Sequence, residues 1–153
     1  MKRIAAFFAF LAVAAPAWGN DVLLSSEIFV ERVQQDAQGK TKTVLEAPKL
    51  VTPGDKLLFV LTYKNNGSAP ASDFLINNPV PEAVSFAGTD SQEAVYSVDG
   101  GKNWGALPAL KVKQADGTER PAQPSDVTHV KWQFAKAIPA GAEGKLSFRG
   151  VVK

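Results

Sequence analysis

Between Pro53 and Phe86 the chain alternates and breaks in a way that paired strands accommodate and helices do not. Leu57, Phe59, Leu61 and Tyr63 share one side of an extended segment, while Lys56, Leu58, Val60, Thr62 and Lys64 share the other. That is the two-residue repeat of a β-strand with one face in a core, and a helix would set the same four apolar residues on opposite sides. Pro53-Gly54-Asp55 predicts a tight turn before the strand, because Pro presets φ and Gly tolerates the positive φ that follows. Gly67-Ser68-Ala69-Pro70 turns the chain into a strand from Asp73 to Asn77, which Pro79 and Pro81 end because neither donates to a ladder. Leu58 and Val60 make the second face partly apolar, so that face is expected to be covered in part by the opening hairpin or by a partner.

The same punctuation continues on both sides. Ser25 to Gln34 reads as a first strand, Asp36 to Gly39 as a turn and Lys40 to Glu46 as the return; Val84 to Phe86 is a short strand. Ala94 to Val98 opens a hairpin that turns at Asp99-Gly100-Gly101 and returns through Asn103 and Trp104, and Leu110 to Gln114 is a further strand. Asp116 to Ser125 is polar and interrupted by proline, which predicts a mobile surface loop. Val127 to Ala135 alternates with Val130, Trp132 and Phe134 on one face, and Lys145 to Val152 is the last strand. About eight short strands with these turn signals predict an all-β, antiparallel β-sandwich.

Lys2 and Arg3 precede an apolar run from Ile4 to Ala15, and small residues follow, the layout of a secretory signal peptide over residues 1–19. Ala17 and Gly19 both fit the cleavage rule. The apolar run to Trp18 is about 15 residues and contains Pro16, short of the roughly 20 that span a bilayer. Periplasmic or extracellular localisation is expected, with no transmembrane segment in the mature chain. The chain has no Cys, so disulfides and thiolate metal sites are excluded and an ordinary core must hold residues 20–153 as one domain. The net charge of +2 equals the contribution of Lys2 and Arg3, leaving 15 basic against 15 acidic residues in the mature chain. That balance argues against nucleic acid as a partner.

Pro53-Gly54-Asp55, the alternation ending at Tyr63, Asn65, Gly67 and Pro70, then Asn78-Pro79-Val80-Pro81 before Val84 and Phe86, follow one another in an ordered signature. Together with Val130-Lys131-Trp132, Ile138-Pro139-Ala140-Gly141 and Leu146-Ser147-Phe148, it resembles the conserved-repeat domain of bacterial and archaeal surface proteins, a domain of unknown function. The resemblance runs from Leu50 to Val152 and is interrupted by an insertion from Asp90 to Ser125. Asn78 departs from it, standing where the family commonly has Asp before Pro. What the resemblance implies is an immunoglobulin-like sandwich in envelope or surface proteins, with structural or adhesive roles and no catalytic residues.

Ser97, Asp99, Gly101 and Trp104 match the spacing of the Asp-box, S-x-D-x-G-x-x-W. In proteins carrying that motif the Asp caps a hairpin turn and the Trp packs beneath it, so one copy predicts a structural turn. His129 is the only histidine, and with Ser125 and Asp126 it invites comparison with a catalytic triad. There is no G-x-S-x-G elbow, and a lone His supplies no metal set, so His129 is read as a solvent-facing strand residue and no catalytic, cofactor or metal site is expected. Asn66-Gly67-Ser68 matches the glycosylation sequon but is better explained by turn geometry. The expected function is a non-enzymatic, secreted or periplasmic envelope component, with a protein partner or self-association through an edge strand or the insertion. A carbohydrate-binding module using Trp104 is the alternative.

Overall fold

A computed structural model describes residues 21–153, so the signal-peptide segment with Ala17 and Gly19 lies outside the described residues. The described chain is all-β. Ten strands follow in order: β1 (Val22–Gln35), β2 (Thr41–Glu46), β3 (Lys56–Asn65), β4 (Leu75–Pro79), β5 (Val84–Thr89), β6 (Ala94–Ser97), β7 (Lys111–Lys113), β8 (Glu119–Pro121), β9 (His129–Gln133) and β10 (Glu143–Val152). Five of them form one antiparallel sheet in the order β2-β1-β3-β10-β5, three form a second in the order β4-β9-β6, and β7 and β8 make a separate ribbon. The sandwich proper therefore has eight strands.

The core lies between the two sheets. Leu57, Phe59 and Leu61 of β3 face it with Phe148 of β10 and Phe86 of β5 from the large sheet, against Ile76, Val130 and Trp132 from the small one. Phe59 and Phe148 are opposite each other in register and stack at 4.4 Å, the closest of the aromatic pairs that fill the layer. Tyr63 meets Phe134 edge-on, and Phe134 leans on Phe74; at the other end of the core Phe86 packs on Tyr96. Those two sets place the β4 side of the small sheet beneath β3 and β6 beneath β5.

Leu58 sits on the outer face and is covered in part by the opening hairpin, from the side rather than by a layer over it. The hairpin β1–β2 extends the same sheet sideways. Leu58 is shielded within its own sheet by its register neighbours Phe29 and Arg149, the latter held over the face by Glu31 and Asp90, each at 3.0 Å.

Three expectations change. β1 begins at Val22, three residues before the alternation does, because Val22, Leu23 and Leu24 pair with Asn65, Lys64 and Tyr63. The stretch expected to be a loose loop contains β8, which pairs with β7, and a 3-10 turn over Pro124–Asp126. Arg120 grips Asp126 there with two hydrogen bonds of 2.6 and 2.7 Å, so pairing and one ion pair order a segment too polar to bury. Pro79 is the last residue of β4 rather than lying beyond it, which the edge position of that strand allows.

Candidate functional site

The turn after β6 is built around two small polar side chains. Ser97 is fully buried at the end of β6; its Oγ donates to Asp99 Oδ1 at 2.8 Å and accepts from the backbone N–H of Gly101 at 2.9 Å. Asp99 Oδ1 also accepts from the backbone N–H groups of Lys102 (3.1 Å) and Asn103 (3.0 Å), and Oδ2 accepts from the Asn103 side-chain amide at 2.6 Å. The Asn103 backbone N–H, its side-chain amide and the Ser97 hydroxyl, in that order, hold the Asp99 carboxyl well below the usual carboxylate range. Gly100 and Gly101 have φ of 78° and 87°, a region closed to most side chains. A Cβ at Gly101 would also rest against the Trp104 ring.

Trp104 folds back under the turn, where its indole N–H donates to the Gly101 carbonyl at 2.9 Å. The Lys131 ammonium lies 4.2 Å from the centre of the Trp104 ring, and His129 meets the ring edge-on at 6.2 Å. Thr128 ties the turn to the small sheet, its Oγ1 accepting from Gly100 N–H at 3.0 Å and donating to the Ser97 carbonyl at 3.1 Å. The four residues of the Asp-box-like spacing are thus in one cluster whose polar groups are committed to one another.

Ser125, Asp126 and His129 line one shallow groove of about 420 Å³ with Pro79, Glu82 and Lys153, without forming a relay. Both oxygens of Asp126 are taken by Arg120, one of them shared with the backbone N–H of Gln123, and His129 Nδ1 lies 3.1 Å from the Thr128 hydroxyl. Among the described residues no three His, Asp or Glu side chains converge as metal ligands, and no helix is long and apolar enough to cross a membrane.

A second cluster joins the two ends of the ordered signature. Asn65 is 1% exposed, and its side-chain amide donates to the carbonyls of Ala69 and Ile138, both at 2.9 Å. Its Oδ1 accepts from Gly67 N–H at 2.9 Å, and the Asn65 backbone exchanges hydrogen bonds with Gly141 and Ala142. The Asn-x-Gly turn and the Ile-Pro-Ala-Gly turn are therefore one clamp. Asp55 works similarly in the other turn, accepting from Thr52 N–H at 2.9 Å while Arg32 Nη2 donates to it at 3.2 Å. Asn78 donates to the Pro79 carbonyl at 2.9 Å and joins neither cluster.

The third feature is an edge. β3 flanks β1 from Val22 to Glu31, whereas β2 flanks only Val30 to Gln35. Residues 22–29 therefore border the sheet unpaired. Leu24 and Ile28 are 49% and 39% exposed on the face turned toward the three-stranded sheet, which does not reach under this end of β1, and Leu23 is 61% exposed on the opposite face. The strand order that leaves Ile28 open becomes apparent only with the sheet assembled.

Compared with family models, with curated proteins and with solved structures, the chain has no match in any of the three.

Proposed function

We propose that this protein is an exported, non-enzymatic component of the cell envelope, structural or adhesive, that acts through the open edge of its larger sheet. The observation that carries the reading is residues 22–29 of β1: paired with β3 on one side and, among the described residues, open on the other, with apolar side chains on both faces and Glu27 as the only charge. Natural sheets guard such edges with Lys, Pro or bulges, and an unguarded one is a template for strand addition. Export is supported by the basic, apolar and small-residue order of residues 1–19.

The polar cluster at Asp99 supports a structural turn, since its oxygens already accept from Ser97, Lys102 and Asn103. For the glycan-binding alternative, Trp104 would need a free ring face and a free indole N–H; Lys131 lies over the ring and Gly101 takes the N–H. The test is fractionation of the native host with N-terminal sequencing. Protein beginning at Trp18 or Asn20 in the periplasm, envelope or medium is expected, and Met1 retained in a cytosolic pool refutes export. Saturable binding on a glycan array that Trp104→Ala abolishes would replace this reading with the alternative.

A further inference from the structure

We propose that the open edge of β1 takes a second copy of the same strand, giving a two-fold dimer in which the two five-stranded sheets become one. This narrows the reading above by naming the occupant. Asp36 N–H donates to the Lys40 carbonyl at the hairpin turn, and the pairing then carries Gln34 against Lys42, Arg32 against Val44 and Val30 against Glu46. Antiparallel strands alternate hydrogen-bonded and non-bonded pairs, so the even-numbered residues of β1 point their N–H and C=O toward the β2 side. On the β3 side the odd set serves, as the Asp21 carbonyl does in accepting from Asn66 N–H. Val22, Leu24, Ser26 and Ile28 therefore present both backbone groups to the open edge.

A two-fold axis normal to the sheet keeps each core-facing row on one side of the joined sheet, so even residues must oppose even residues. Glu46 already occupies the position opposite Val30 and blocks further sliding. The longest register that keeps every residue of β1 clear of Glu46 sets residue i against residue 50 − i of the second copy, since the next even sum, 52, would put the second copy's Val22 where Glu46 lies, whereas 50 brings only residue 20, ahead of the strand, to that position.

In that register Val22 opposes Ile28, Leu24 opposes Ser26, and all four outward-directed even residues exchange their N–H and C=O groups. Leu23 lies against Glu27, so no like charges face each other, and Ser25 sits on the axis against its own copy. Val22, Leu24 and Ile28 of both copies share the face turned toward the small sheet, covering apolar surface that the monomer leaves in water. The strand is thus complementary to itself without rearrangement. The other edges are less suited: β2 has six residues and carries Lys42 and Glu46, β4 ends in Pro79, β5 pairs irregularly across Arg149 and Gly150, and β6 has four residues. One strand edge is a small interface, so the dimer is weak and depends on concentration.

The test uses the exported protein purified after expression of the full chain. Sedimentation over a series reaching millimolar concentration is expected to show a monomer–dimer equilibrium, with exchange protection of the Leu24, Ser26 and Ile28 amides rising with concentration. Ser26→Pro removes an N–H from the open edge and none from the pairing with β3, and is expected to weaken the dimer at least about tenfold, the effect of roughly 1.4 kcal/mol.

Ser25→Cys places the one thiol of each protomer on the axis, about 4.5 Å apart between Cα atoms, and should yield a disulfide-linked dimer under mild oxidation. Ser26→Cys, opposite Leu24, should lag well behind. A protein monomeric at every concentration, self-association that Ser26→Pro leaves intact, or faster linkage through Ser26→Cys each overturns the proposal. A strict monomer that still fractionates with the envelope would reject the second copy while leaving export and an envelope role standing.

Discussion

Replacing Trp132 probes the core together with the one buried side-chain polar atom that lacks a partner among the described residues. Trp132 is 1% exposed, sits in register between Ile76 and Ala94 and packs on Phe148 at 6.3 Å, and its indole Nε1 is buried without a hydrogen-bond partner. Burying an aromatic side chain removes about 150–250 Å² from water, worth roughly 4–6 kcal/mol at 25 cal/mol per Å². Alanine keeps the methyl group and its neighbours relax in part, so Trp132→Ala is expected to lose about 3–5 kcal/mol. Against a total of about 5–15 kcal/mol, that is a third or more of the stability of many domains.

Trp132→Phe behaves differently, because losing ring volume costs stability while losing an N–H stranded in the core recovers about 1–3 kcal/mol. The two effects oppose, and the Phe variant is expected to unfold within about 1 kcal/mol of wild type. Urea unfolding followed by far-UV circular dichroism measures both variants, with equal slopes confirming comparable denatured states. An unchanged midpoint for Trp132→Ala refutes its placement in the core. A Phe variant as unstable as the Ala variant refutes the unpaired N–H and means that water or a shifted carbonyl satisfies it.

Asn65→Ala leaves the Ala69 and Ile138 carbonyls and the Gly67 N–H without a buried partner, so a loss of about 1–3 kcal/mol is expected, with Gly67 losing exchange protection. A wild-type midpoint removes the clamp. Asp99→Ala should lower the thermal midpoint and the protection of the Lys102 and Asn103 amides while leaving self-association unchanged; full stability with lost binding would turn Asp99 into a ligand contact. Asp55, Asp99, Asp116 and Asp126 are all held below their unfolded values by hydrogen bonds, to Arg32, Asn103, Thr118 and Arg120 respectively. Their contribution is therefore complete above the unfolded carboxylate range and lost as pH falls from about 4 toward their folded values, and a midpoint unchanged between about pH 5 and 3 refutes it. A Cβ at Gly150 would collide with Val84 Cγ1 and lie 3.2 Å from the Ser85 carbonyl oxygen, so Gly150→Ala should destabilise by about 1–3 kcal/mol, and a neutral result refutes the closeness of β10 and β5.

β3 was legible to the residue because alternation and turn chemistry agree: Gly54 at one end and Asn65 at the other bound a strand buried on one face. β1 was legible only from Ser25 onward. Val22-Leu23-Leu24 is apolar throughout, and a continuous apolar run carries no period from which a face can be read. β8 lacks the signal for the opposite reason, since Glu119-Arg120-Pro121 is held by pairing with β7 and by the Arg120–Asp126 bridge, neither of which requires alternating burial.

The same distinction separates what could be read of the sites. The Asp99 turn is local, its donors lying within four residues along the chain, so spacing alone predicted the cluster. The Asn65 clamp reaches across 73 residues to Ile138, and although both turns stand out in the sequence, nothing in either names the other as its partner. The open edge is further still from local reading. It arises because five strands lie over three and β2 is shorter than β1, quantities set by strand order and not by any segment. One local trace of it exists. Eight residues with one charge, no proline and apolar side chains on both faces suit an interior strand, and finding them at a boundary means either a liability or a surface meant to be paired. The residues that the register of β1 brings together favour pairing: Val22 meets Ile28, Leu23 rather than a second Glu27 meets Glu27, and Leu24 and Ile28, 49% and 39% exposed in the monomer, are the side chains a second copy would cover.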